Sequence, residues 1–288
     1  MTTTNQWFDI EAPYNEYGKA RVVIIPAPYE GTVSYGTGTS KGPEAIRRAS
    51  RYIEPWHAAL GSEPYRAGIY GRGPLAMPED PWQAALKVKA AVGEELETGR
   101  RPVTVGGEHS LTVGAVSAVL ERYPSVSVLQ LDAHADLRDE YEGTGFSHAC
   151  VMRRLADLGA DFVQAGIRSM SAPEKEWLTD NNRKVISPRE IRENSDWTGT
   201  VIEGLKNQVY ITFDVDVLDP SQMPSTGTPE PGGLYYDQIL DLVLALKDSG
   251  KEVVGLDIME LSPIAGLHHA DFTAATILYA MIGAFFNK

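Results

Sequence analysis

Only one of the 288 residues is a cysteine, Cys150, so no internal disulfide can staple this fold. A reducing compartment fits such a chain best. Basic residues are also scarce: 26 Lys and Arg against 39 Asp and Glu leave a net charge of -13. That balance argues against nucleic acid, whose phosphates call for a basic stripe. It permits a cationic substrate, and it serves solubility equally well. The N-terminal MTTTNQWFDIEAPYNEYGK has no basic start followed by an apolar stretch, so no secretory signal is expected. No apolar run approaches the roughly 20 residues that a bilayer crossing needs. Repeats, low-complexity tracts and linkers are missing too. With 43% apolar and 23% charged residues, disorder is excluded as well. The expectation is a single cytoplasmic domain over 1–288, with 1–19 as an N-terminal extension and with neither nucleic-acid nor membrane partners.

Short apolar runs alternate with helical patterns along nearly the whole chain. Strands are expected at 20–27, 66–70, 101–107, 126–133, 161–168, 184–187, 207–216 and 252–260. Helices are expected at 42–53, 81–99, 111–123, 148–159, 173–181, 235–250 and 270–286. Most of the strands are apolar on both faces, which suits an α/β fold with a parallel sheet covered on both sides. A closed barrel of alternating strands and helices competes at this length. Uneven strands, with long loops after only a few of them, favour the open sheet. Ligands then bind beyond the carboxyl ends of the strands.

The chemistry-bearing motifs fall at such ends. VTVGGEHS leads through Gly106 and Gly107 to His109, and LQLDAHADLRDEY delivers Asp132, His134 and Asp136. YITFDVDVLDP delivers Asp214 and Asp216, and EVVGLDIMELSP delivers Asp257 and Glu260. So many acids packed together would repel one another unless cations lie among them. D-x-H-x-D on an extended segment places alternate side chains on one side, and D-x-D does the same. Four carboxylates and two imidazoles are too many for one tetrahedral zinc and suit two metals with shared carboxylates. Hard oxygen ligands without a thiolate lean towards Mn²⁺.

Other features have plainer readings. GTVSYGTGTSKG (31–42) lacks the GK[ST] ending of a phosphate loop and reads as a loop over the rim of the site. Cys150 reads as a small buried apolar group. His268 and His269 read as a solvated loop before a helix capped by Asp271. His57 reads as packed or surface, and Asp219 as turn chemistry. Asp257 is either an ion partner at a strand end or a support behind a ligand.

GGEHS, LDAHADLRDEYEG, SHAC, FDVDVLDP, GTGTPEPGG and PYEGTVSYGTGTSKGPEAIR resemble the ureohydrolase family of arginases and agmatinases, most nearly its agmatinase branch. The resemblance spans almost the whole chain, with the metal motifs in the family's order. It implies a three-layer α/β/α fold on a mostly parallel eight-stranded sheet, assembled as homo-trimers or homo-hexamers. It also implies two Mn²⁺ per subunit. His109 and Asp136 would hold one ion, His134 and Asp216 the other, with Asp132 and Asp214 bridging. Hydroxide would attack a guanidinium carbon, releasing urea and an amine. His148 would shuttle protons, Glu260 would grip the guanidinium, and the chemistry would turn on these two and Asp136. Glu108 stands where many relatives carry Asp, and little effect is expected of it.

The loop 137–147 lacks the Asn-and-Ser pattern by which arginases hold an α-carboxylate and amino group. The expected reaction is therefore hydrolysis of agmatine to urea and putrescine. 4-Guanidinobutyrate and N(1)-aminopropylagmatine are alternatives, and arginine is a lesser one. Polyamine deacetylases resemble arginases in fold but use one Zn²⁺ and need neither GGEH nor the full D-x-D. A regulatory pseudoenzyme would have lost a ligand or Glu260, and all are present.

Overall fold

β1 (Val22–Ala27, VVIIPA) is buried along its whole length. Its side chains divide between two cores: Val22 and Ile24 join one hydrophobic cluster, Val23 and Ile25 the other. That period-two division is what a strand covered on both faces requires. In the computed structural model, which describes residues 6–287, the same pattern builds a whole sheet. The further strands are β2 (Ile69–Gly71), β3 (Arg101–Gly106), β4 (Ser127–Leu131), β5 (Asp161–Ala165), β6 (Val185–Ile186), β7 (Gln208–Asp214) and β8 (Glu252–Met259). They lie in the order β2-β1-β3-β8-β7-β4-β5-β6. All their pairings are parallel, so the expected mostly parallel sheet is wholly so among the described strands. The sheet is open, with β2 and β6 at its edges, which rules out the barrel.

The helices are α1 (Gly42–Ser50), α2 (Pro81–Glu97), α3 (Thr112–Arg122), α4 (Val151–Asp157) and α5 (Ala172–Asp180), then α6 (Pro188–Glu193), α7 (Trp197–Glu203), α8 (Tyr236–Asp248) and α9 (His268–Phe286). Ile46 of α1, Val201 of α7, Leu242 of α8 and Leu278 of α9 pack on one face of the sheet. Val88 of α2, Val116 of α3 and Leu155 of α4 pack on the other, completing three layers. By length and composition α9 could cross a membrane, which corrects the view that no apolar run approaches that length. Yet 78% of its apolar window is buried inside the fold. Its Ile277, Leu278, Met281, Ile282 and Phe286 are fully buried, each contributing about 1.5–3 kcal/mol.

Several boundaries differ from the sequence expectation, each for a local reason. The strands expected to reach 133, 168 and 216 stop at Leu131, Ala165 and Asp214, where turns begin. The helix expected at 148–159 starts as a 3-10 turn, His148–Cys150, before α4. α6 and α7 are too short for a periodic signal. α6 is started by a capping box, in which Glu190 reaches back to the Ser187 N–H at 2.7 Å. α9 begins at His268, so His268 and His269 are exposed residues of its first turn rather than of a loop. Asp271 is buried inside that turn and does not cap it. The segment 1–19 also does more than extend the chain, because Trp7, Phe8 and Ile10 enter the core; residues 1–5 lie outside the described ones.

The sheet order places β3, β8, β7 and β4 side by side at the centre. Their carboxyl ends carry the four acidic motifs, at the edge where open parallel sheets bind ligands. On the flank, α2 and α3 approach closely at Gly114, where a Cβ would lie 1.9 Å from the Ala85 carbonyl oxygen. Gly114→Ala is therefore expected to destabilise the fold by about 1–3 kcal/mol. Urea denaturation measures the change; a variant as stable as the parent would contradict the close approach.

Candidate metal centre

β3 runs through Gly107 into a 3-10 turn, His109–Leu111. Only glycine fits at 107, since a Cβ there would lie 1.9 Å from the Tyr29 carbonyl oxygen. The turn carries the His109 ring into the sheet edge, where Nδ1 faces three carboxylates: Asp136 at 3.0 Å, Asp132 at 3.1 Å and Asp214 at 3.3 Å. On the ring's far side Nε2 lies 2.8 Å from Thr212 Oγ1. Thr212 donates to Asp257 at 2.7 Å, and the same carboxylate accepts from Tyr210 and Thr112. With its proton committed, the Thr212 oxygen accepts from Nε2–H. Nδ1, buried and without a hydrogen-bond partner, is then the nitrogen that faces the carboxylates. A nitrogen so placed fits a cation seated among them, a proton or a metal ion. Asp257 thus supports His109 rather than reaching a ligand itself, which settles the role left open in the sequence.

A second cluster adjoins the first. His134 Nδ1 lies 2.9 Å from Asp216 and 3.7 Å from Asp132. The donor atoms of His109, Asp132 and Asp214 lie within 4.8 Å of one another, as do those of Asp132, His134 and Asp216. Each set is able to hold one ion, and Asp132 belongs to both. Asp136 completes the surroundings of His109, so the structure brings together all six residues expected as ligands.

The electrostatics show where positive charge is missing. Burial above all, then the Asp132 charge, raises Asp136 to about 7. Burial and the neighbouring Asp216 and Asp132 push Asp214 well above the carboxylate range. Burial would lower His134, but Asp216 and Asp132 outweigh it and push the ring up to about 12. Burial also works against protonated His109, yet the three carboxylates hold its proton affinity well above the usual. Both imidazoles are pressed to carry a cation.

The ligand-type residues do not converge by strand alternation, as the spacing suggested. Past Leu131 the chain turns: the Asp132 carboxylate accepts from the His134 N–H at 2.6 Å, and Asp136 adopts a left-handed φ of 53°. Asp214 ends β7 and accepts from the Asp216 N–H at 2.9 Å, so D-x-D is a turn as well. Glu260 has φ 67°. Left-handed non-glycine residues cost about 1–2 kcal/mol each, and they gather at functional sites.

Glu260 accepts from the His109 N–H at 2.6 Å, and burial raises it well above the carboxylate range. His148 Nδ1 lies 3.2 Å from Thr32 Oγ1, and its ring meets Tyr141 edge-on at 5.6 Å. Burial lowers the basicity of that ring. His109, His134, Asp136, His148, Asp214, Asp216 and Glu260 line one small cavity, with Val33 to Gly36 on its rim. Residues 33–36 of the 31–42 segment thus form the rim, while its end, from Thr39, is already helical. An outer chamber of about 730 Å³ continues it through shared His134, Asp136 and His148, lined also by Arg138, Tyr141, Met170 and Glu174.

Three supports carried no signal in the sequence. Gln130 donates to Asp132 at 2.7 Å. Arg168 donates to the Asp216 carbonyl at 2.7 Å and to the Glu230 carbonyl at 2.8 Å, tying β7's turn to the 230 loop. Glu108 is fully buried and accepts from Gly31, Thr32 and Ser110. The neighbours with plainer readings stay away from the centre. Cys150 is buried beside Ser147, His57 accepts from the Leu60 N–H, and Asp219 accepts from Ser221, Gly232 and Gly233 in a turn.

An α/β/α sheet whose central carboxyl ends hold two adjoining His/Asp clusters beneath a cavity defines a metal-dependent hydrolase. The chain belongs to the arginase family, whose model matches residues 20–283. Members of this family depend on a binuclear metal centre, and the chain is a ureohydrolase-type enzyme. It is 40% identical over 279 residues to the N(1)-aminopropylagmatine ureohydrolase of Thermus thermophilus, covering 95% of this chain and 92% of the relative. It is 38% identical to the enzyme of that name from Synechocystis, covering 96% and 93%. The agmatine ureohydrolase structure of Thermoplasma volcanium superposes with a TM-score of 0.86 at 32% identity, covering 96% of this chain and 92% of that one.

Removing and restoring metal tests the clusters directly. Mn²⁺ at about a hundred times its dissociation constant should stabilise chelator-treated protein by about 2.7 kcal/mol per site. Thermal unfolding reads this as a higher Tm; an unchanged Tm would contradict a cation site.

Proposed function

We propose that the protein hydrolyses the guanidino group of agmatine-type amines, giving urea and a polyamine, with two Mn²⁺ per subunit. The observation that carries this reading is the Asp132 carboxylate common to two His/Asp clusters, beneath a cavity also lined by Glu260 and His148. His109, Asp136 and Asp214 would hold one ion beside Asp132, and His134 and Asp216 the other, with Asp214 also able to bridge. Bound there, the pair would supply Lewis acidity that brings a water's pKa near neutrality. A single-zinc deacetylase has no use for the second cluster.

The chain's own groups do the rest. One Glu260 oxygen is tied to the His109 N–H, which holds the carboxylate at the cavity wall to orient a planar guanidinium by paired hydrogen bonds. His148, on the wall between cavity and outer chamber, takes a proton from the attacking water and returns it to the leaving amine. The rim loop and the 137–148 segment narrow the opening and limit competing water.

The inner cavity receives the guanidinium end of such a substrate. The outer chamber leaves room for more, and this supports N(1)-aminopropylagmatine as the preferred substrate, in keeping with the two relatives that bear its name. We extend the proposal to a cytoplasmic trimer or hexamer; the single, buried Cys150 fits a reducing compartment.

Urea release should appear with both amines, with kcat/KM for the aminopropyl form higher by about tenfold, worth about 1.4 kcal/mol. Equal or better turnover of arginine would contradict the substrate assignment, and no urea from any guanidino compound would contradict the reaction. Asp132→Asn should lower bound metal from about two ions per chain to one or fewer and abolish most turnover. If metal analysis still finds two, Asp132 does not bridge.

A further inference from the structure

Thr32 stands between two groups that both need its hydroxyl. Its Oγ1 donates to Glu108 Oε1, lies 3.2 Å from His148 Nδ1, and accepts from the His148 backbone N–H at 3.1 Å. Glu108 is fully buried, and its other oxygen accepts from the Gly31 and Thr32 N–H groups at 2.8 and 2.6 Å. Ser110 donates to Oε1 as well, at 2.7 Å. With these donors aimed at it, Glu108 is the acceptor in every contact.

A hydroxyl has one proton and two lone pairs. The Thr32 proton goes to Glu108, so both lone pairs accept, one from the His148 N–H and one from the imidazole. Only Nδ1–H can supply that last bond. From this we infer that Glu108 and Thr32 are positioning residues that hold neutral His148 as its Nδ1–H tautomer, leaving the Nε2 lone pair free on the cavity side. The edge-on Tyr141 ring, at 5.6 Å and 83°, keeps the imidazole in that plane.

The same construction stands behind His109, where Asp257 takes the proton of Thr212 and Thr212 accepts from Nε2–H. There it exposes Nδ1 to the candidate metal site. At His148 it exposes Nε2 as the atom that accepts and releases protons. The catalytic use of this tautomer rests on the proposed function; the tautomer itself does not.

The test reads the tautomer without substrate. Long-range ¹⁵N–¹H correlation spectra of the metal-free full chain, free of paramagnetic broadening, would resolve the six histidines, with His148→Asn assigning the one of interest. Wild type and Thr32→Ser should show protonated Nδ1 and unprotonated Nε2 at residue 148. Glu108→Gln keeps its oxygen on the two backbone N–H groups and turns its amide towards Thr32. The hydroxyl must then donate to Nδ1, and the tautomer flips to Nε2–H. Thr32→Val should leave a mixture.

Loss of the correct tautomer should lower kcat by about 10²-fold, the low end of what acid–base catalysis supplies. KM and metal content should stay near wild type in Glu108→Gln and Thr32→Val, and Thr32→Ser should restore kcat. If Glu108→Gln does not fold, the Val and Ser pair at 32 carries the comparison. An Nε2–H tautomer in wild type, or an unchanged one in Thr32→Val, overturns the inference. Protonated Nδ1 in a protein that releases no urea would uphold the tautomer and refute the proposed function.

Discussion

The structure depends on one electrostatic problem: four buried carboxylates and two imidazoles share the carboxyl ends of β3, β7 and β4, with β8 lying between β3 and β7. Removing such charges from water is costly, and like charges in contact make it worse. Protons can relieve part of the strain, as the upward pressure on Asp136, His109 and His134 indicates. Two divalent cations relieve it far better. The open parallel sheet supplies rigid strand ends, and its order brings β3, β8, β7 and β4 together although they are distant in the chain. The strained turns at Asp136 and Glu260 are then local costs of aiming side chains inward.

Around this centre the supporting groups meet the ligand-type residues through hydrogen bonds. Asp132 is steadied by an amide, Gln130, and the turn at Asp216 by an arginine that bonds carbonyl oxygens. Two further buried acids, Asp257 and Glu108, stand one threonine away from an imidazole and reach it only through a hydroxyl. A direct carboxylate–imidazole pair would raise the ring's basicity strongly. An intervening hydroxyl passes on direction with less charge. It is a way to choose which nitrogen bears the proton without pairing that side of the ring with a charge.

Much of this was legible in the sequence, because its strongest signals come from short range. Apolar runs of strand length flanked by GGEH, D-x-H-x-D and D-x-D marked both the sheet and the ligand-type residues. What the spacing misjudged was backbone direction: those motifs turn rather than extend, which only the left-handed φ at Asp136 and the cap at Asp214 reveal. Glu108 looked incidental because its partners, Gly31 and Thr32, lie 77 and 76 residues away. Asp257 and Arg168 were opaque for the same reason, their roles being set by neighbouring strands and loops. α6 and α7 escaped notice because six or seven residues carry too little periodicity to stand out.

The central claim is that Asp132 lies between two metal ions. Anomalous diffraction from Mn²⁺-loaded crystals, recorded at the manganese edge, tests it most directly. The account predicts two peaks per chain, about 3.5–4 Å apart, one beside His109 and the other beside His134, with Asp132 reaching both. A single peak, or two peaks that do not share Asp132, would contradict it.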